Sequence, residues 1–176
     1  MKPSIAVVTG GAGFIGSHMV DELLEKDFEV RVIDNLSGGH ERNLAHHSSE
    51  PKLLFEQTDI CNLKSNCSLF RGANFVFHFA GIGDIVPSIE NPTSYMQTNV
   101  QGTVKVLEAS RSAKIDKFVY AASSSCYGHA STPTREDHPN DPQYPYALSK
   151  YQGEQVVFHW NKVYGLPVNS LRIFNA

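Results

Sequence analysis

The chain has 176 residues, 41% hydrophobic and 19% charged, with a formal net charge of −3. That length holds one domain with a sizeable core, and the composition is that of an ordered globular protein. Scattered basic residues on an acidic balance argue against a nucleic-acid surface, and no apolar run reaches the length of a membrane span.

Cys61, Cys67 and Cys126 are odd in number and lack metal-ligand spacing, which predicts free thiols in a reducing, cytoplasmic setting. The first residues run straight into a core strand, so no cleavable signal is expected.

Ser4 to Val8 is short, β-branched and apolar, the pattern of a buried strand. It leads into Thr9-Gly10-Gly11-Ala12-Gly13-Phe14-Ile15-Gly16. Phe14, Ile15, Met19, Val20, Leu23 and Leu24 then recur at helical spacing, so a helix starts near Gly13. A strand running through glycines into a helix is a phosphate-binding turn. Gly10 can take the tight-turn angles, Gly13 lets a pyrophosphate approach the backbone, and Gly16 lets the helix pack on the strand. The free amides and positive end of that helix face the anion. Phe28 to Ile33 is a second strand, ending in Asp34. An acidic residue about 20 positions past the glycines is placed to hold the ribose 2′-hydroxyl of NAD and to repel the 2′-phosphate of NADP.

A polar loop with Gly38-Gly39 follows, then a weakly helical stretch from Glu41 to His47. Lys52 to Gln57 reads as a third strand running into Asp59-Ile60, with a short helix near Leu63 to Phe70. Asn74 to Phe79 is a fourth strand, and Ala80 to Asn91 a loop. Pro92 to Ala113 carries one long helix pattern, and Lys117 to Ala122 a fifth strand that opens into Ser123-Ser124-Ser125-Cys126-Tyr127-Gly128. Pro133, Pro139 and Pro142 make Ala130 to Tyr144 a loop. Pro145 suits the first turn of a helix that continues to Tyr164, where Gly165-Leu166-Pro167 breaks it. Val168 to Phe174 is a sixth strand. Strands separated by helices predict parallel pairing with right-handed crossovers. The expected fold is therefore α/β, a Rossmann doubly wound parallel sheet of order 3-2-1-4-5-6, with ligands at the carboxyl ends of the strands.

Tyr146 and Lys150 stand four residues apart, on one face of the last helix. A phenol ionises near pH 10, so work as a base near neutrality needs an acidification of about 3 units, or roughly 4 kcal/mol. A nearby ammonium favours the phenolate, and the same lysine can hold the nicotinamide ribose. Ser123, at the carboxyl end of the fifth strand, can bond an alcohol undergoing oxidation. His78 reads as a core-strand residue. The other seven histidines read as solvated, without a carboxylate or cysteine partner at useful spacing, and no metal is assigned. Cys126 reads as small packing.

Together these motifs resemble the extended short-chain dehydrogenase/reductases, and among them the NAD-dependent sugar-nucleotide epimerases and dehydratases. The resemblance runs from the glycine turn to Arg172-Ile173-Phe174-Asn175. It takes in Asp34-Asn35-Leu36, Asp59-Ile60, His78-Phe79-Ala80-Gly81, Asn99, Ser123 to Gly128 and Tyr146 to Lys150. It implies that Asp59 and Ile60 flank the adenine and that Phe79, Ala80 and Gly81 line the cofactor path. It also implies that Asn99 braces the site from the long helix. The implied cofactor set further includes Phe14, Ile15, Asn35, Ser37, Gly38 and Phe174. The implied catalytic triad is Ser123, Tyr146 and Lys150, with Ser88 and Asn175 approaching the nucleotide-sugar substrate.

The resemblance also implies a reaction. Tyr146 removes the proton of the sugar 4-hydroxyl while C4 gives hydride to NAD, and an epimerase returns the hydride to the other face. In the dehydratases, acidic residues directly follow the catalytic Ser/Thr. Here Ser124 and Ser125 stand there, so the expected activity is a UDP-sugar 4-epimerase, as against a 4,6-dehydratase or a non-catalytic NAD-binding module. Family members continue past the sixth strand into a smaller domain that grips the nucleotide. This sequence is therefore expected to carry the NAD-binding domain alone (1–176) and to turn over poorly by itself. A homodimer through a four-helix bundle, built from the helices of Asn99 and Lys150, is implied as well.

Overall fold

The computed structural model describes residues 3–174. Six strands, β1 (Ile5–Thr9), β2 (Glu29–Asp34), β3 (Leu53–Gln57), β4 (Phe75–His78), β5 (Lys117–Ser123) and β6 (Val168–Ile173), form one sheet of order β3-β2-β1-β4-β5-β6. Every pairing is parallel. Helix α1 is Phe14–Glu25 and α2 is Val86–Glu90; α3 (Pro92–Tyr95) and α4 (Thr103–Ala113) follow, and α5 spans Pro145–Tyr164.

Central β1 is buried along its whole length because helices cover both faces of the sheet, which is why it is apolar without alternation. Its side chains still alternate. Ile5 and Val7 join the core with Val76, Phe118, Leu107 and Val157, while Ala6 and Val8 join the core with Val20, Leu23 and Val32. In register, Thr9 lies beside both Ile33 and His78, so the ends of β1, β2 and β4 meet on one edge.

The predicted helix from Pro92 to Ala113 is not uniform. A π-helical stretch, Met96–Gly102, separates α3 from α4. At its junction with α4 the Thr103 hydroxyl donates to the Asn99 carbonyl at 2.7 Å, a side-chain bond that competes with the backbone ladder. The stretch from Leu63 to Phe70 does not form one helix either; it carries only the short 3₁₀ turn Ser68–Phe70, with another, Ile60–Asn62, just before it. The loop after β4 contains α2, with Pro87 in its first turn. Among the described residues, no helix is long and apolar enough to cross a membrane.

Candidate active site

Gly10 has φ +72°, and a Cβ there would lie 2.5 Å from the Ala80 amide nitrogen. At Gly16 a Cβ would lie 2.1 Å from the Gly10 carbonyl oxygen, so α1 can start only over glycine. Gly13 differs. A Cβ there would meet only the Gly10 oxygen, at 3.2 Å, and the space beyond stays open. No side chain caps α1 and no acidic residue stands in its first turn. The amides at its positive end are thus left for an external anion, as a pyrophosphate requires.

Asp34 is buried at the end of β2. Its Oδ2 accepts the Ala12 amide at 3.0 Å and its Oδ1 the Leu36 amide at 2.8 Å. A carboxylate has about four acceptor positions, so capacity remains for a ribose hydroxyl. Asn35 donates to Asp59 Oδ2 at 3.1 Å, and Asp59 Oδ1 accepts the Cys61 amide at 2.8 Å. Burial raises the Asp59 pKa, but the bonds from Cys61 and Asn35 outweigh it and hold the carboxylate below its usual range. The Ser37 amide and hydroxyl both donate to Asn35 Oδ1, and a Cβ on Gly38 would meet open space. Ile60 is buried in the core, which leaves its backbone rather than its side chain to meet an adenine.

A cleft of ≈ 810 Å³ runs along the carboxyl edge of the sheet. Gly10, Gly13, Phe14, Ile15 and Gly16 line one part of it; Ser123, Tyr146 and Lys150 line another, with Phe79, Gly81 and Phe174 also facing it. Ser123 Oγ accepts the Ser125 amide at 3.1 Å, so its own O–H is left to donate. The Tyr146 ring stacks 6.4 Å from Tyr144 and meets Tyr95 edge-on at 6.3 Å. Lys150 is buried, with Nζ 4.8 Å from the centre of the Tyr120 ring. Burial lowers its pKa to about 8, against a smaller raising effect of Cys126.

Asn99 braces this site. Its Oδ1 accepts the Ile82 amide at 2.8 Å, and its Nδ2 donates to the Ile82 carbonyl at 3.0 Å and to Ser149 Oγ at 2.9 Å. Ser149 donates in turn to the Tyr146 carbonyl at 2.7 Å. A second chain of bonds lies beneath. His78 Nδ1 is 2.6 Å from Thr9 Oγ1 and Nε2 is 2.9 Å from Thr103 Oγ1. Thr103 spends its proton on the Asn99 carbonyl, so His78 donates from Nε2 and accepts at Nδ1. Burial first, and the Lys150 charge second, push the His78 pKa down to about 3.

Several placements differ from the sequence reading. Ser88 is buried, donates to the Ile85 carbonyl at 2.6 Å and does not line the cleft. Asn175 lies outside the described residues. Ile82, Gly83, Asp84 and Ile85 line the cleft although no motif marked them, and the backbone of Asp84 is left-handed, with φ +72°. His46 and His47 are not simply solvated, since both contact Asp21. Buried Glu154 and half-buried Arg172 form a bidentate pair, closing at 2.7 Å, that joins α5 to β6. Cys126 is buried with a raised pKa, as packing requires, burial being the main cause.

The parallel sheet, the open glycine turn and Asp34 define a dinucleotide-binding Rossmann domain. Residues 6–176 match the NAD dependent epimerase/dehydratase family, and the chain belongs to that family. A Methanocaldococcus jannaschii protein provisionally named a UDP-glucose 4-epimerase is 40% identical over 173 residues, 97% of this chain and 55% of its own length. A UDP-N-acetylglucosamine 4-epimerase from Methanobrevibacter ruminantium superposes with a TM-score of 0.91 at 34% identity, over 98% of this chain and 55% of that one. A dTDP-glucose 4,6-dehydratase from Streptomyces venezuelae, solved with NAD bound, gives a TM-score of 0.90 at 34% identity, over 96% and 55%. The chain thus spans about half the length of the relatives it matches. Its cofactor is NAD, which the open Gly13 cradle and uncapped α1 amides fit.

Proposed function

We propose that this chain is the NAD-binding and catalytic half of a nucleotide-sugar 4-epimerase, with UDP-sugars as the favoured substrates. One observation carries the reading: Ser123, Tyr146 and Lys150 share one cleft with the glycine turn. The pyrophosphate is held by the α1 amides at Phe14 and Ile15, the adenosine ribose by Asp34, and the nicotinamide ribose by Lys150. NAD supplies an acceptor for the C4 hydride and a donor for its return. Tyr146 takes the 4-hydroxyl proton, Ser123 donates to the same oxygen, and the Lys150 ammonium favours the phenolate. The 4-keto sugar then turns within the cleft, and Tyr146 returns the proton after hydride reaches the other face. Asn99 positions Tyr146 and the Gly81–Ile82 backbone. Asn175 approaches the sugar nucleotide by likeness, and because the chain spans about half the length of its relatives, the 176-residue polypeptide alone is expected to turn over little; loss of remote binding lowers kcat as well as affinity.

A second reading, the 4,6-dehydratase, is favoured by Asp84, an acidic residue lining the cleft, since general acid catalysis of water loss requires a proton donor. Product analysis separates the two. The polypeptide, extended through its reading frame to the length of its relatives, is incubated with NAD and a panel of UDP-, dTDP- and GDP-sugars, and products are followed by NMR. A C4-inverted sugar, absent with Tyr146→Phe, is expected. A 4-keto-6-deoxy sugar establishes the dehydratase, and no turnover with intact NAD binding leaves a binding module. The same reading makes the protein a cytoplasmic homodimer. The dimer joins the outer faces of the π-helical stretch and α5, where Met96, Val100 and Gln152 line a shallow groove.

A further inference from the structure

His46 and His47 end a short 3₁₀ helix, Glu41–His47, and both rings turn toward Asp21 on α1. Their Nε2 atoms lie 2.9 and 2.7 Å from the same oxygen, Asp21 Oδ1. Their ring centroids are 4.1 Å apart. All three ligand atoms fall within 4.8 Å of one another. His18, one turn earlier on α1, places Nδ1 3.7 Å from Asp21 Oδ2.

Ring nitrogens of two successive residues and a carboxylate from another element converge on one point, with Asp21 Oδ1 shared between both rings. A dication suits that convergence, because imidazoles bind it as neutral donors and a carboxylate supplies the charge.

Two imidazole nitrogens and one carboxylate oxygen, drawn from two elements, form the mixed donor set of zinc-type ions. We propose that Asp21, His46 and His47 form a binding site for a divalent first-row transition metal of the zinc class, with His18 beside it and water completing the sphere. Metal–ligand bonds of about 2.0–2.2 Å in a tetrahedron place neighbouring donors about 3.3 Å apart. The present N–O spacings need to open only by a few tenths of an ångström. His47, with a side chain 20% exposed, anchors the site, and His46, at 56%, leaves it reachable from solvent.

The ion acts as a clamp. The His40 amide and Asn43 Nδ2 both donate to the Ala12 carbonyl, at 3.0 and 2.8 Å, so one end of this segment already rests on the glycine turn. Metal at Asp21, His46 and His47 fastens the other end to α1.

The test is titration of the untagged 176-residue chain with Co²⁺ and Zn²⁺ in the presence of a phosphine reductant. The expected result is one equivalent of Co²⁺, displaced by Zn²⁺, with d–d bands of a nitrogen/oxygen site and a rise in Tm by mass action. Asp21→Asn and His46→Ala should each weaken binding by at least about tenfold, the loss seen even for partners one step removed from a metal. Cys67→Ser and His129→Ala should change nothing. Because His46 is exposed, its variant keeps the fold. Absence of saturable binding, binding unchanged in Asp21→Asn and His46→Ala, or a thiolate charge-transfer band would each overturn the proposal.

Discussion

Lys150 Nζ lies 4.8 Å from the centre of the Tyr120 ring, buried between α5 and β5. The ring face stabilises a cation that burial disfavours. The ammonium is thus kept where the cleft needs it, at a cost to stability.

Lysine ordinarily ionises at 10.5, and burial brings Lys150 to about 8. Between these values the unfolded chain binds more protons than the folded one, so stability rises with pH from about 8 to 10.5. Below pH 8 the full penalty is present, an upper bound of about 3 kcal/mol. Lys150→Met should therefore raise Tm at pH 7 and flatten this alkaline rise, while abolishing turnover of the extended enzyme. Thermal melts at several pH values check it, and an unchanged or lowered Tm at pH 7 contradicts it.

His78 works in the acid range. Its pKa falls from 6.5 to about 3, so the unfolded chain takes up a proton across that window and the folded chain does not. Stability is lost as pH falls from 6.5 toward 3, by about 5 kcal/mol at most. His78→Gln should be less stable at pH 7 yet show a shallower acid limb. Urea midpoints at pH 7 and pH 5 measure the difference; parallel curves for the two proteins argue against this role.

Asn99→Ala removes the partners of both Ile82 backbone groups and of Ser149 Oγ. Ile82 is half-buried, so the loss should fall at or below about 1–3 kcal/mol, the cost of a buried polar group left unpaired. Faster hydrogen exchange at the Ile82 amide and weaker NAD binding should accompany the loss. Exchange at wild-type rate would show that the loop holds itself.

Glu154→Ala leaves Arg172 charged and partly buried without the carboxylate whose hydrogen bonds raise its pKa. The expected loss is about 3–5 kcal/mol, far above that of an exposed pair. Arg172 also lies 4.5 Å over the Tyr127 ring, so the disturbance should reach the turn that follows Ser123. Denaturant unfolding of the Glu154→Ala and Arg172→Met single and double variants gives the coupling; additive effects would remove the pair from the account.

The sheet was legible because a parallel sheet buried on both faces needs apolar runs, as in Ile5–Thr9 and Phe75–His78, and because glycine is obligatory at Gly10 and Gly16. The tyrosine–lysine spacing by itself says little; Tyr146 and Lys150 stood out because they follow the fifth strand of a dinucleotide-binding sheet, and both line the cleft. What lay hidden depends on residues far apart in the chain. Nothing near His78 announces Thr9 or Thr103, and nothing near His46 announces Asp21. Likewise Asp84 reaches the cleft through a left-handed backbone angle, which leaves no pattern in the sequence. The bond from the Ser88 hydroxyl to the Ile85 carbonyl was likewise not readable from the sequence.

The central claim is that the cleft oxidises a sugar at C4 and returns the same hydrogen. The most direct measurement supplies the extended enzyme with UDP-glucose deuterated at C4 and reads the product by NMR. The account predicts a C4-inverted sugar that keeps its deuterium at C4, and no product with Tyr146→Phe. Inversion with loss of deuterium to solvent, or inversion that survives Tyr146→Phe, would contradict it.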